Sequence, residues 1–175
     1  MLAVKQNINF KFKPEVVEQI NQLMAKYPEG KSKSAILAIL HLTQEQNNGW
    51  LSVDAMDEVA RIMNIKPIEV YEVATFYSQY NLKPVGKYVL EVCHTGPCSL
   101  EGAEWLIEYL KKKLNIKNGE TTSDGMFTLK RVECLAACGY APMMQIGKNY
   151  YEFLNSEEKV DDLLTKLRAE VAKKN

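Results

Sequence analysis

Four cysteines in two tight pairs, Cys93-x4-Cys98 and Cys134-x3-Cys138, constrain this chain more than any other feature. Each pair opens where an apolar, β-branched run closes. Lys87 to Val92 leads into Cys93, and Phe127 to Glu133 leads into Cys134. Both runs have strand character. Between them, a loop with Gly96-Pro97 precedes a predicted helix, with Ser99 as its cap. Leu100, Ala103, Leu106, Ile107, Leu110 and Leu114 mark its buried face. A strand, a helix and a second strand joined by one right-handed crossover predict two neighbouring parallel strands. Sites in open α/β sheets form outside the carboxyl ends of the strands. The two cysteine pairs are therefore expected to meet around one point, although they are distant in sequence.

The remaining C-terminal pattern extends this unit. Met143 to Ile146 and Tyr150 to Phe153 flank Gly147-Lys148-Asn149 and predict a hairpin. Asn155 with Glu158 offers a capping box for a last helix bearing Val160, Leu163, Leu164 and Leu167. The order β-α-β then β-β-α is that of a thioredoxin-like domain, expected over residues 84–175. Thioredoxin-like folds carry a cis proline before the hairpin, and Pro142 occupies that place.

Residues 1–83 follow a different period and predict an N-terminal helical domain. Pro14 suits a first helical position, with Val16, Val17, Ile20, Leu23 and Met24 at helical spacing. Ser34 caps a second predicted helix carrying Ile36, Leu37, Ile39 and Leu40. Ser52 caps a third with Met56, Val59, Ala60 and Met63 inward. Pro67 opens a fourth with Val70, Tyr71, Ala74 and Tyr77 on one stripe. A helical bundle is the simplest way to bury four such stripes. The fold class is thus α+β.

Composition narrows the function. Lys and Arg (22) balance Asp and Glu (22), so no basic face points to a nucleic-acid partner. Lys111-Lys112-Lys113 falls in the last turn of a predicted helix, where cations offset the dipole. The longest apolar stretch, Ala35 to Leu42, is too short to cross a bilayer, so no direct membrane insertion is expected. The first residues carry neither a secretory nor a transit pattern, which predicts a cytoplasmic chain. Phosphate-cradling glycine loops are missing, as is any Ser-His-Asp or Cys-His catalytic set. Asp161-Asp162 are adjacent and point to different parts of a helix.

Four thiols in a reducing compartment favour metal or redox chemistry over disulfides. Buried free cysteines occur, but two pairs, both at strand ends, form too regular a pattern for that alone. Structural zinc accepts four thiolates at pair spacings of two to four residues, and these pairs lie at the upper edge. A thioredoxin-type dithiol needs Cys-x-x-Cys. An iron–sulfur cluster accounts best for four cysteines with a Cys-x4-Cys pair. Spacing leaves two irons against four open. His94 would enter only as a Rieske-type ligand, displacing cysteines that already complete the shell. The other histidine, His41, falls within a predicted core helix. Backbone donors in His94-Thr95-Gly96 and Ala136-Ala137 would raise the potential, and the charges of Glu91 and Glu133 would lower it.

Val92-Cys93-His94-Thr95-Gly96-Pro97-Cys98 and Glu133-Cys134-Leu135-Ala136-Ala137-Cys138-Gly139-Tyr140-Ala141-Pro142-Met143 resemble the thioredoxin-like [2Fe–2S] subunit family of respiratory complex I. Gly49-Trp50-Leu51 and Ala74-Thr75-Phe76-Tyr77 resemble segments of that family's helical region. The resemblance implies a [2Fe–2S] cluster on Cys93, Cys98, Cys134 and Cys138, and electron transfer within NADH:quinone oxidoreductase without catalysis by this chain alone. FMN and NADH would sit on a partner subunit, with other peripheral-arm subunits nearby. The assembly would lie on the cytoplasmic side of the inner membrane. Hydrogenase and formate dehydrogenase relatives share the motifs, so the same role in an NAD-linked diaphorase module is an alternative. An autonomous ferredoxin and a zinc-stabilised scaffold are others. Ala136 stands where the family commonly has glycine, and Gly139-Tyr140 replaces a more usual Val-Asn.

Overall fold

The computed structural model describes residues 10–172. The chain divides into two compact units, one ending at Pro84 and one beginning at Val85.

In the first unit, Pro14 sits at the start of α1 (Pro14–Met24), where its missing N–H costs no hydrogen bond. A 3-10 turn (Ser32–Ala35) runs straight into α2 (Ile36–Gln46). The sequence pointed to Ser34 as the α2 cap. Instead Ser34 lies inside the 3-10 turn, and Ala35 takes the cap position without a side-chain bond. Ser52 does cap α3 (Val53–Met63), with the Ala55 N–H donating to its Oγ at 3.2 Å. At α4 (Pro67–Phe76) the Lys66 N–H donates to Glu69 Oε2 at 2.9 Å. Ile20, Ile39, Leu40, Leu51, Met56, Val59 and Val70 share one apolar core. Tyr80 joins it and donates its hydroxyl to the Leu37 carbonyl, 2.9 Å away. Tyr77, placed by periodicity on the inward stripe of α4, is 41% exposed because α4 has already ended at Phe76. His41 lies on α2 but on its exposed side, 5.2 Å from the Tyr80 ring centre.

The second unit is a four-stranded mixed sheet in the order β2-β1-β3-β4. Strands β1 (Tyr88–Cys93) and β2 (Phe127–Val132) pair in parallel, from Tyr88 opposite Phe127 to Cys93 opposite Val132. Strand β3 (Met144–Ile146) runs antiparallel to β1, and β4 (Asn149–Tyr151) antiparallel to β3. Side chains alternate between faces of a strand. Leu90, Val92, Phe127, Leu129, Met144 and Ile146 therefore share a face. They form one core with Leu106, Ile107 and Leu110 of α6 (Ala103–Leu114) and Val160, Leu163, Leu164 and Leu167 of α7 (Glu157–Ala172).

Three sequence expectations shift here. The helix expected from Ser99 is broken into a single turn, α5 (Pro97–Leu100), and α6. Gly102, at φ +101°, makes the break and replaces Ser99 as the cap of the long helix. Leu100 consequently leaves the buried stripe and is 89% exposed. At α7, Ser156 Oγ accepts from the Lys159 N–H at 3.4 Å, and the side chain of Asn155 instead accepts from Lys159 Nζ at 2.9 Å. The second hairpin strand stops at Tyr151, because Phe153 turns to φ +51° and cannot continue a strand.

Candidate metal centre

The two parallel strands deliver both cysteine pairs to the same end of the sheet. Cys93 is the last residue of β1, and Cys134 follows the end of β2 by two positions. Continuity of that end is maintained by the His94 N–H, which donates to the Val132 carbonyl at 3.2 Å. Gly96 then turns the chain at φ +45° and ψ −120°, a region that side chains rarely enter, and starts α5. Cys98 lies within that turn. Its N–H donates to the Thr95 carbonyl at 3.1 Å. Cys93 and Cys98 are buried among Ala103, Ala137, Ala141 and Met143. Cys134 and Cys138 are exposed.

The thiols sense one another. Burial pushes Cys98 up to about 12, reinforced by its hydrogen bond with Cys93 and by the charges of Cys93, Cys138 and Cys134. Burial also raises Cys93, but hydrogen bonds from the Thr95 and Leu135 backbone, with the Cys98 and Thr95 side chains, hold it below its ordinary value. Cys138 is raised by desolvation, then by Cys134 through a hydrogen bond and charge, then by the charge of Cys93. Thr95 Oγ1 lies 3.8 Å from Cys93 Sγ. Among the described residues, no three His, Cys, Asp or Glu side chains close around a single ion position. The thiols are instead close enough for Cys93 and Cys98, and Cys134 and Cys138, to shift each other's protonation. All four are soft donors, and a positively charged metal group favours their thiolate forms. Backbone N–H groups already face two of the sulfurs. The donor set fits an iron–sulfur cluster.

The second cysteine loop is held from several sides. The Ala136 N–H donates to Cys134 Sγ at 3.3 Å. The Tyr150 hydroxyl donates to the Leu135 carbonyl at 2.7 Å. The Phe153 N–H donates to the Tyr140 carbonyl at 3.0 Å and the Leu154 N–H to that of Pro142 at 2.8 Å. The Tyr140 and Phe153 rings meet edge to face at 5.8 Å. The Ala141–Pro142 bond is cis, as the sequence led us to expect.

Of the expected backbone donors, Ala136 reaches a sulfur and the backbone of Thr95 reaches Cys93. The His94 N–H goes to β2 instead. Leu135 was not foreseen, and neither was Tyr150, whose partner lies fifteen residues away. His94 faces Arg131 Nη2, 3.4 Å from its Nδ1, and Glu133 Oε1, 3.6 Å from its Nε2. Arg131 in turn donates to Glu104. Glu91 pairs across the strands with Lys130 at 3.7 Å, which offsets its charge, while Glu133 is 78% exposed.

The sequence profile of thioredoxin-like [2Fe–2S] ferredoxins matches residues 20–168. The chain belongs to that family. It is 46% identical over 158 residues to the E subunit of NADH-quinone oxidoreductase from Rickettsia typhi, covering 90% of this chain and 92% of that one. The corresponding protein of Rickettsia felis is 47% identical over 156 residues, covering 89% and 93%. The mitochondrial NADH dehydrogenase [ubiquinone] flavoprotein 2 of Dictyostelium discoideum is 44% identical over 152 residues, covering 87% of this chain and 62% of that one. Among solved structures, an NAD+-reducing [NiFe]-hydrogenase matches with a TM-score of 0.66 and 23% identity. That match covers 78% of this chain but only 23% of the hydrogenase chain, and it speaks to fold alone.

Ala136 adopts φ +57°, the left-handed region that glycine tolerates best. A side chain in that region costs about 1–2 kcal/mol, partly offset by the greater freedom glycine loses on folding. Ala136→Gly is expected to stabilise the metal-free chain by about 0.5–1 kcal/mol, read as a rise of a few degrees in Tm. Ala136→Val is expected to lower Tm.

Proposed function

We propose that this chain carries single electrons as a subunit of NADH:quinone oxidoreductase, with one [2Fe–2S] cluster held by Cys93, Cys98, Cys134 and Cys138. The observation that carries the proposal is the arrival of both pairs at adjacent ends of parallel strands, where the four thiols influence one another's charge. When bound, such a cluster supplies a one-electron couple whose potential depends on hydrogen bonds to its sulfurs and on solvent exposure. The chain's own residues supply the rest. Cys93 and Cys98 anchor from the buried side, whereas Cys134 and Cys138 hold from the surface. The Ala136 N–H stabilises charge at Cys134. Ala103, Ala137 and Met143 keep water from the buried pair.

The partner that fits is the FMN- and NADH-binding subunit of the same complex, with the assembly on the cytoplasmic face of the inner membrane. No described helix is long and apolar enough to cross a membrane, so attachment would run through other subunits. Identity of 46% to the Rickettsia typhi subunit, over 90% of this chain, supports the quinone-linked complex over a hydrogenase diaphorase module.

Iron, acid-labile sulfide and zinc in anaerobically purified protein, with an EPR spectrum after dithionite reduction, test the proposal. Two irons and two sulfides per chain with a spin-half signal support it. Stoichiometric zinc, with neither sulfide nor signal after reconstitution, would refute it. Co-purification with the flavin subunit tests the partner, and failure to associate after reconstitution would favour an autonomous ferredoxin.

A further inference from the structure

We propose that Tyr150 is a positioning residue for the cluster, acting on Cys134 through the Leu135–Ala136 peptide. The inference rests on the ligand set proposed above. That single peptide group is held at both ends. Its carbonyl accepts the Tyr150 hydroxyl at 2.7 Å. Its N–H, that of Ala136, donates to Cys134 Sγ at 3.3 Å. A phenol, a peptide and a sulfur thus form one hydrogen-bonded chain. Donation to a carbonyl draws electron density from the amide and makes its N–H a stronger donor, so the two bonds reinforce each other.

The local structure depends on this tie. Leu135 and Ala136 lie in a loop outside the strands. Ala136 is in the left-handed region without the glycine that tolerates it. Tyr150 belongs to β4, whose register is fixed by pairing opposite Gln145. Tyr150 is 47% exposed, so packing alone does not account for its orientation. The phenol therefore ties a strained, exposed loop to a rigid hairpin. Because the N–H faces a ligand sulfur, that tie also bears on the sulfur's charge. An N–H bond to a cluster sulfur favours the reduced, more negative state and raises the potential. Tyr150 is expected to hold the potential up without touching the cluster.

The test is Tyr150→Phe, which removes one oxygen and leaves the ring. Tyr88→Phe serves as control, because the Tyr88 hydroxyl bonds Glu170 in the same unit away from the cysteine loops. Wild type and both variants are reconstituted with iron and sulfide, and their midpoint potentials measured by EPR-monitored titration. Cooperative strengthening of a bond by about 10–30% leads us to expect a reduction equilibrium about two- to fourfold weaker in Tyr150→Phe. That corresponds to about 18–36 mV more negative for a one-electron couple, at about 59 mV per tenfold. Water reaching the exposed Leu135 carbonyl would place the shift at the lower end. Tyr88→Phe should match wild type. Independently of any cluster, the Ala136 amide of the metal-free Tyr150→Phe chain should exchange hydrogen faster than in wild type.

An unchanged potential in a loaded Tyr150→Phe variant overturns the role assigned to Tyr150 and leaves the ligand set standing. An equal shift in Tyr88→Phe also overturns it, since the effect would then not be specific to the loop. A wild-type chain that takes up no cluster removes the ligand proposal beneath it. In that case unchanged Ala136 exchange removes the tie as well.

Discussion

Cys98→Ala is expected to leave the chain folded but without a stable cluster, holding less than about a tenth of the wild-type iron and sulfide after reconstitution and desalting. Cys98 is 1% exposed and Cys93 2%, so each replacement leaves a thiol-sized gap against Ala103, Ala137 and Met143. A free cysteine behaves there as a small hydrophobe. Its loss costs about 1 kcal/mol of packing, within the range of ordinary single substitutions. Circular dichroism of the metal-free variant should match wild type, which separates ligand loss from unfolding. Cys93→Ala, Cys134→Ala and Cys138→Ala should behave likewise. Replacements in the exposed pair should also keep the metal-free chain closest to wild-type Tm, since little packing is lost. Full iron and sulfide retention in any one variant would remove that residue from the ligand set.

How much of this was legible in the sequence follows from the range of each interaction. The apolar faces of α3 and α7 were readable because 3.6-residue periodicity leaves little choice. Met56, Val59, Ala60 and Met63 are buried as expected, as are Val160, Leu163, Leu164 and Leu167. The parallel pairing of β1 and β2 followed from the crossover helix, and with it the arrival of both cysteine pairs at one end of the sheet. Element ends were less legible because several residues competed for each. Ser99 has the right chemistry for a cap, but Gly96 and Gly102, both at positive φ, confine that helix to one turn. Leu100 was misplaced for the same reason. The bonds around Leu135 were hidden for a different one. A strand-pairing register must be known before Tyr150 can be set against a loop fifteen residues earlier.

Phe127→Ala should be the most damaging single change to the fold, and it should act on stability without acting on the cluster site. The side chain is fully buried. The Tyr88 ring stacks on it at 6.0 Å, and the Arg168 guanidinium lies over it at 5.0 Å. Truncating a buried phenylalanine costs about 3–5 kcal/mol, combining lost transfer energy with a residual cavity. For a domain of this size that lowers Tm by more than about 10 °C. Phe127 begins β2 whereas the cysteines follow its end. At about 3.3 Å per residue the strand separates them by roughly 16 Å. The EPR spectrum and potential of a loaded Phe127→Ala chain should therefore equal those of wild type, while the metal-free chain unfolds at much lower temperature. Because a cluster bound only by the folded state stabilises it by mass action, the gap in Tm between loaded and metal-free protein should persist in the variant. An altered spectrum at unchanged stability would mean that the core around Phe127 and the cysteine end of the sheet are coupled, and that β2 does not act as a rigid strut between them.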